Sequence, residues 1–197
     1  DGKCKLLRND GTGKFTDATG AAGDLAKEIP SAVSAAWGDF DNDGKPDLLV
    51  CCLRGSNRYF KNLGNGTFAD KSADVGLNTK VFNSQAACLA DLNADGQLDV
   101  VFSNEGQESC ALFGVLTPGG PLTPVTVALN GTPVLSGGKV VVRDASGKAV
   151  ATSLTAGGDA RGGQSGQSPR FVLAPGAYKL ELTGADGKAL VKELTVA

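Results

Sequence analysis

Ala36-Trp37-Gly38-Asp39-Phe40-Asp41-Asn42-Asp43-Gly44, running on into Leu48-Leu49-Val50, returns 52 residues later as Cys88-Leu89-Ala90-Asp91-Leu92-Asn93-Ala94-Asp95-Gly96, running on into Val100-Val101-Phe102. The flanking blocks repeat as well. Leu7-Arg8-Asn9 with Gly13-Lys14-Phe15-Thr16-Asp17 comes back 53 residues on as Phe60-Lys61-Asn62 with Gly66-Thr67-Phe68-Ala69-Asp70. A fainter third copy, Ala111-Leu112-Phe113, places Phe113 a further 53 residues beyond Phe60. Each unit reads as strand, acidic loop, strand, turn, strand, turn, strand. Roughly 50 residues and four strands per unit is the size of a propeller blade. The predicted fold is therefore all-β, with a partial β-propeller of two to three blades over residues 1–114. Duplication inside an ordinary sandwich is the alternative.

The repeat stops at a Pro- and Gly-bearing stretch, residues 115–123, which reads as a linker. Residues 124–197 then change to short alternating strands: Val125–Leu129, Lys139–Arg143, Ala149–Leu154, Arg170–Ala174, Tyr178–Thr183 and Leu190–Val196. Turn signals such as Asn130-Gly131, Ser146-Gly147, Pro175-Gly176 and Asp186-Gly187 separate them. These features predict a small antiparallel β-sandwich. The stretch from Gly157 to Gly166 is too polar and Gly-rich to read as a strand, so an exposed loop is expected there.

The loops carry the chemistry. Asp39, Asp41, Asp43 and Asp47 stand at positions 1, 3, 5 and 9 of the first. Spacing by two turns alternate side chains to one centre, and a hard divalent cation seeks a ring of roughly six to eight oxygens. Gly44, at position 6, allows the sharp reversal. Lys45, at position 7, would lend its backbone carbonyl. The second loop keeps Asp91, Asp95 and Asp99, replaces the third-position aspartate with Asn93, and has Gln97 as the carbonyl donor. One formal charge fewer predicts weaker binding. Two calcium ions are thus expected, one per loop, with a metal-free turn as the alternative. Magnesium suits such a ring less well because it demands a tighter octahedron. An EF-hand is disfavoured, since Val50 and Phe102 stand where its twelfth-position Glu belongs and strands flank the loops.

Composition removes several function classes. The net charge is -2, from 19 basic and 21 acidic residues, with no basic cluster to hold nucleic acid. No apolar run approaches the roughly 20 residues of a membrane-spanning helix, so no direct membrane span is expected. With no His, the usual general base is missing. Five cysteines (Cys4, Cys51, Cys52, Cys88, Cys110) show no CxxC spacing. A disulfide pair in an oxidising compartment and a set of buried thiols both stay open. On a strand, Cys51 and Cys52 face opposite ways, so at most one is expected on the packed side.

The run Trp37 to Leu48, with Asn62-x-Gly64-Asn65-Gly66-Thr67-Phe68, resembles the FG-GAP/VCBS type of β-propeller repeat. That resemblance implies calcium in the loop between adjacent blade strands, held by the residues above. It also implies an extracellular, cell-surface or periplasmic setting. The tail is similar to the ASPIC/UnbV domain through Gly138-Lys139-Val140-Val141-Val142, Arg161-Gly162-Gly163-Gln164-Ser165 and Arg170-Phe171-Val172-Leu173-Ala174-Pro175-Gly176. It offers Gly184-Ala185-Asp186-Gly187 where that family has a Trp-Pro-x-Gly turn, which leaves a generic sandwich open.

Propellers close with about four to eight blades. The chain has no Met and opens inside a repeat unit at Asp1, so further blades are expected upstream in the same polypeptide, or another protein chain against the open edge. The expected function is a non-enzymatic, calcium-stabilised extracytoplasmic binding or structural module, with other protein chains or a glycan as partners. Arg161 and Arg170 are candidate contacts, a solvated surface role being the alternative. Two other functions compete: an accessory subunit of a larger extracytoplasmic or membrane-associated complex, and a fragment of a polysaccharide hydrolase or lyase. The last lacks a nucleophile-and-base pair.

Overall fold

The computed structural model describes residues 3–115, 123–127, 138–154, 157–158, 163–164, 169–184, 187 and 189–197. Among these the architecture is all-β, with several antiparallel sheets, none of them closed. Two short 3-10 turns, Thr19–Ala21 and Asp24–Ala26, are the helical elements described. No helix among the described residues is long and apolar enough to cross a membrane.

The repeat units become successive sheets. Strands β1 (Leu7–Asn9) and β2 (Phe15–Asp17) form a two-stranded ladder. Strands β3 (Ala32–Gly38), β4 (Asp47–Cys52), β5 (Arg58–Asn62) and β6 (Phe68–Asp70) form a four-stranded meander. Strands β7 (Ser84–Ala90), β8 (Asp99–Asn104) and β9 (Cys110–Leu112) repeat its first three members. Equivalence extends to irregularities: a register shift falls between Ala32 and Ser34 in one unit and between Ser84 and Ala86 in the other. The ladder sets Leu48 opposite Phe60 and Val100 opposite Leu112, so Leu112, not Phe113, is the structural counterpart of Phe60.

β4 is buried along its whole length. Leu49 and Cys51 face a core shared with Leu77, Phe82, Leu89 and Phe102. Leu48, Val50 and Cys52 face the other way, onto Ala22, Leu25, Ile29 and Phe68. Both cysteines are therefore packed, against the expectation that one would face outward. The reason is tertiary: this sheet has a neighbour on each face, and a strand covered twice needs no polar side. Each fully buried aliphatic side chain here stabilises by about 1.5–3 kcal/mol. All five cysteines remain thiols, with none in a disulfide.

The C-terminal part forms strands β10 (Thr123–Thr126), β11 (Lys139–Asp144), β12 (Ala149–Leu154), β13 (Gly157–Gly158), β14 (Gly163–Gln164), β15 (Arg170–Leu173), β16 (Gly176–Thr183) and β17 (Ala189–Val196). A sheet ordered β12-β11-β16-β17 and a β10-β15 ladder share one core around Val140, Val142, Phe171 and Leu173. The Ser146-Gly147 turn forms as read: the Asp144 carboxylate accepts from the Ser146 and Lys148 amides, and Gly147 takes φ 86°. The glycine-rich stretch departs from the loop expected. Its described residues form β13 and β14, which pair antiparallel and extend the third sheet, with Gln164 pairing parallel to Leu89 of β7. Polar composition speaks for side chains, whereas an open strand edge recruits backbone whatever its side chains are. The sheets thus do not divide cleanly at the linker. Residues 116–122 of that linker, the Asn130-Gly131 turn and Arg161 lie outside the described residues.

Candidate metal centre

Both acidic loops join the first two strands of their sheet, β3 to β4 and β7 to β8, and both are built on the same hydrogen bonds. In the first, Asp39 Oδ1 accepts from the Asp43 amide (3.0 Å) and Oδ2 from the Gly44 amide (3.0 Å). In the second, Asp91 does the same for Asp95 (3.1 Å) and Gly96 (3.0 Å). The fifth-position carboxylates accept from the amides two residues on, Lys45 (3.0 Å) and Gln97 (2.8 Å). Asn42 and Ala94 take φ 53° and 63°, followed two residues later by Gly44 and Gly96 at 86° and 87°. These left-handed turns curl the chain around the carboxylates.

The ninth-position aspartates also have a structural task. Asp47 and Asp99 are 0% exposed. Asp47 Oδ1 accepts from the Asn62 amide (2.8 Å), and its Oδ2 from the Tyr59 hydroxyl (2.8 Å) and the Phe40 amide (3.4 Å). Asp99 accepts from the Leu92 amide (2.7 Å) and the Gly114 amide (2.9 Å). Asp47 clamps its loop to β5, and Asp99 clamps its loop to the segment just beyond β9. Burial pushes the Asp47 carboxyl upward in pKa, and the same desolvation, followed by the charge of Asp47, drives the Tyr59 phenol up.

What the structure brings together as a group that could hold a cation is Asp39, Asp41 and Asp43, each of which offers an oxygen within 4.8 Å of the others. Asp39 is 3% exposed, and desolvation pushes its carboxyl up to about 7, with the charge on Asp43 adding to the shift against three backbone hydrogen bonds. Three carboxylates this close repel one another unless positive charge is supplied. Lys61 ion-pairs with Asp41 and Asp43, and Lys45 with Asp43. Asp41 Oδ1 is buried with no hydrogen-bond partner. An anionic oxygen in that state is what a hard oxygen-seeking cation satisfies, so the donor set fits calcium.

The second loop is poorer in charge. Asn93 bonds within the loop to Asp95, through both its amide nitrogen (2.9 Å) and its oxygen (3.1 Å). Phe113 lies just beyond β9 where the first unit has Lys61, and Gln97 replaces Lys45. The nearby cation is Arg170, whose guanidinium lies 3.4 Å from Asp91 Oδ2. Lys61, Tyr59 and Thr152 escape a reading of the loops alone. A signal for Lys61 does exist: Arg8 occupies the same place in the preceding unit.

Repeated all-β units, each with an aspartate loop between its first two strands, define the class. The family of FG-GAP-like repeats matches the chain at residues 1–50 and 39–102, together just over half of it. This chain belongs to the FG-GAP-like repeat family. Over 58 residues it is 42% identical to cartilage acidic protein 1 of Mus musculus, covering 29% of this chain and 9% of that protein. It is 33% identical over 69 residues to the Xenopus tropicalis protein of that name, covering 35% and 11%. The Homo sapiens protein is 36% identical over 58 residues, covering 29% and 9%. The matched stretch thus spans about a tenth of each relative's length.

Proposed function

We propose that this chain is a non-enzymatic, calcium-stabilised module of an extracytoplasmic protein, acting in binding or as structure. The observation that carries this is the grouping of Asp39, Asp41 and Asp43 around a buried, partnerless carboxylate oxygen. Those three, the Lys45 carbonyl and Asp47 form the first proposed ligand set; Asp91, Asn93, Asp95, the Gln97 carbonyl and Asp99 form the second. The cation's task is architectural: it holds the loop, and so the spacing of the strands that the loop joins. The sheets of residues 1–114 are read as consecutive blades of a propeller and residues 124–197 as a small sandwich. FG-GAP-like membership supports an extracellular or binding role.

The test is thermal unfolding after EGTA treatment, with and without calcium, on the wild type and an Asp43→Ala, Asp95→Ala double variant. A ligand bound only by the native state adds about 2.7 kcal/mol at a hundredfold excess over its dissociation constant. That rise is expected in the wild type and absent in the variant. Equal melting of both proteins under all conditions overturns the reading.

A second reading, a subunit of a larger assembly, draws on apolar exposure beside β9. Leu112, Phe113 and Val115 are exposed and line a cleft of about 520 Å³ with Phe40, Val75 and Leu98. Apolar surface of this kind marks interaction sites more often than free surface. Sedimentation as a monomer, with no chain co-purifying from its native source, counts against it.

A further inference from the structure

Both acidic loops are covered by the C-terminal unit. Thr152 of β12 donates its backbone N–H to Asp39 Oδ2 (2.7 Å) and its hydroxyl to the Gly44 carbonyl (2.8 Å). β12 is the edge of its sheet, so this amide bonds to the loop instead of to a strand partner. At the second loop Arg170, the first residue of β15, reaches Asp91. The sixth-position glycines make the closest approach. A Cβ on Gly44 would meet the Ala149 carbonyl at 2.6 Å, and one on Gly96 would meet the Phe171 carbonyl oxygen at 2.7 Å. Equivalent glycines of two repeats therefore seat two strands from different ladders of one unit. Asp39, Asp91, Thr152 and Arg170 line the same small cavity of about 50 Å³ between them.

We propose that the C-terminal unit is a working part of both cation sites: Thr152 is a positioning residue at the first, Arg170 holds the Asp91 carboxylate until a cation takes it at the second, and calcium binding and docking of this unit form one coupled equilibrium. The inference rests on the calcium reading above. Docking strips water from the Asp39 carboxylate, and desolvating an anion costs free energy unless positive charge accompanies it. A cation held by Asp39, Asp41 and Asp43 supplies that charge and fixes the Gly44 carbonyl where the Thr152 hydroxyl meets it. The coupling is reciprocal by linkage: whatever calcium contributes to docking, docking contributes to calcium affinity.

The test uses the whole chain, with hydrogen exchange of the Thr152 amide followed by NMR with and without calcium. Calcium titrations by calorimetry accompany it on the wild type, Thr152→Val, Thr152→Ser and Arg170→Ala. Coupling factors of roughly 5–150-fold are typical. Calcium is expected to slow Thr152 exchange about tenfold, a coupling at the low end of that range. Thr152→Val should weaken the first site several-fold, Thr152→Ser should restore it, and Arg170→Ala, which removes a cation that competes for Asp91, should tighten the second site alone. Circular dichroism in EGTA confirms that each variant is folded. Calcium binding that is unchanged in Thr152→Val, with exchange indifferent to calcium, overturns the coupling and leaves the calcium reading standing. Absence of calorimetric binding to the wild type removes both.

Discussion

The two acidic loops share a backbone and differ in charge. Their first-, fifth- and ninth-position aspartates accept matching amide hydrogen bonds, and their left-handed residues fall at matching places. The third position is where they part. Asp41 in the first loop carries an oxygen without a partner, whereas Asn93 in the second satisfies itself on Asp95. The first-, fifth- and ninth-position aspartates of each loop thus have work to do in building the turn, with or without a cation. The case for metal rests on the third position and on the charge gathered around it. An aspartate motif alone overstates how many of its members exist for the ion.

The largest effect is expected where the loops are alike. Asp47→Ala and Asp99→Ala each leave part-buried backbone donors unsatisfied, at a cost of about 2 kcal/mol. Urea unfolding in EGTA should show this loss with no calcium present. A loss that appears only when calcium is added would show that the ninth position acts as a ligand alone and not also as a clamp.

Next comes pH, where the first loop stands apart. The Asp39 carboxyl sits near 7 when folded without metal, against 3.8 ordinarily, so the folded state holds the extra proton. For a raised carboxylate the associated stability is fully present below about 4 and is lost as pH rises through about 7. Calcium-free protein should therefore be more stable at pH 5 than at pH 8, by roughly 2 kcal/mol. Asp39→Asn should flatten the dependence in denaturant titrations. Calcium should reverse it, since the ion needs the ionised form.

A smaller change exchanges the two characters. Asp41→Asn should lower calcium affinity of the first loop about tenfold, near 1.4 kcal/mol, and Asn93→Asp should raise that of the second. Calorimetric titration of each variant reads both, and affinities that stay put would show that the third position does not separate the loops. The smallest effect belongs to Lys61→Met. Its half-buried ion pairs with Asp41 and Asp43 contribute about 1 kcal/mol at most. The calcium-free protein should melt slightly earlier while calcium binds a few-fold tighter, having no lysine to displace.

Much of this was legible in one dimension. The 52-residue return of the aspartates, the glycines at their sixth position and the apolar runs behind them located both loops and the strands flanking them. In the tail, β11, β12, β15, β16 and β17 fall within one or two residues of the alternating runs. Alternation, turn chemistry and ligand type are local properties, carried by residues near one another in the chain.

Other features depended on which surfaces meet. Cys51 and Cys52 are both buried because the sheet they share has a neighbour on each face, a fact absent from their own alternation. The glycine-rich stretch pairs with β7 because backbone groups at a strand edge accept any backbone. Lys61 sits on the carboxylates because a neighbouring strand carries it there, and Thr152 and Arg170 reach the loops from 113 and 79 residues away along the chain. Contacts of that kind are set by how sheets stack and dock. Their energies depend on distance and burial, neither of which any short window of residues contains.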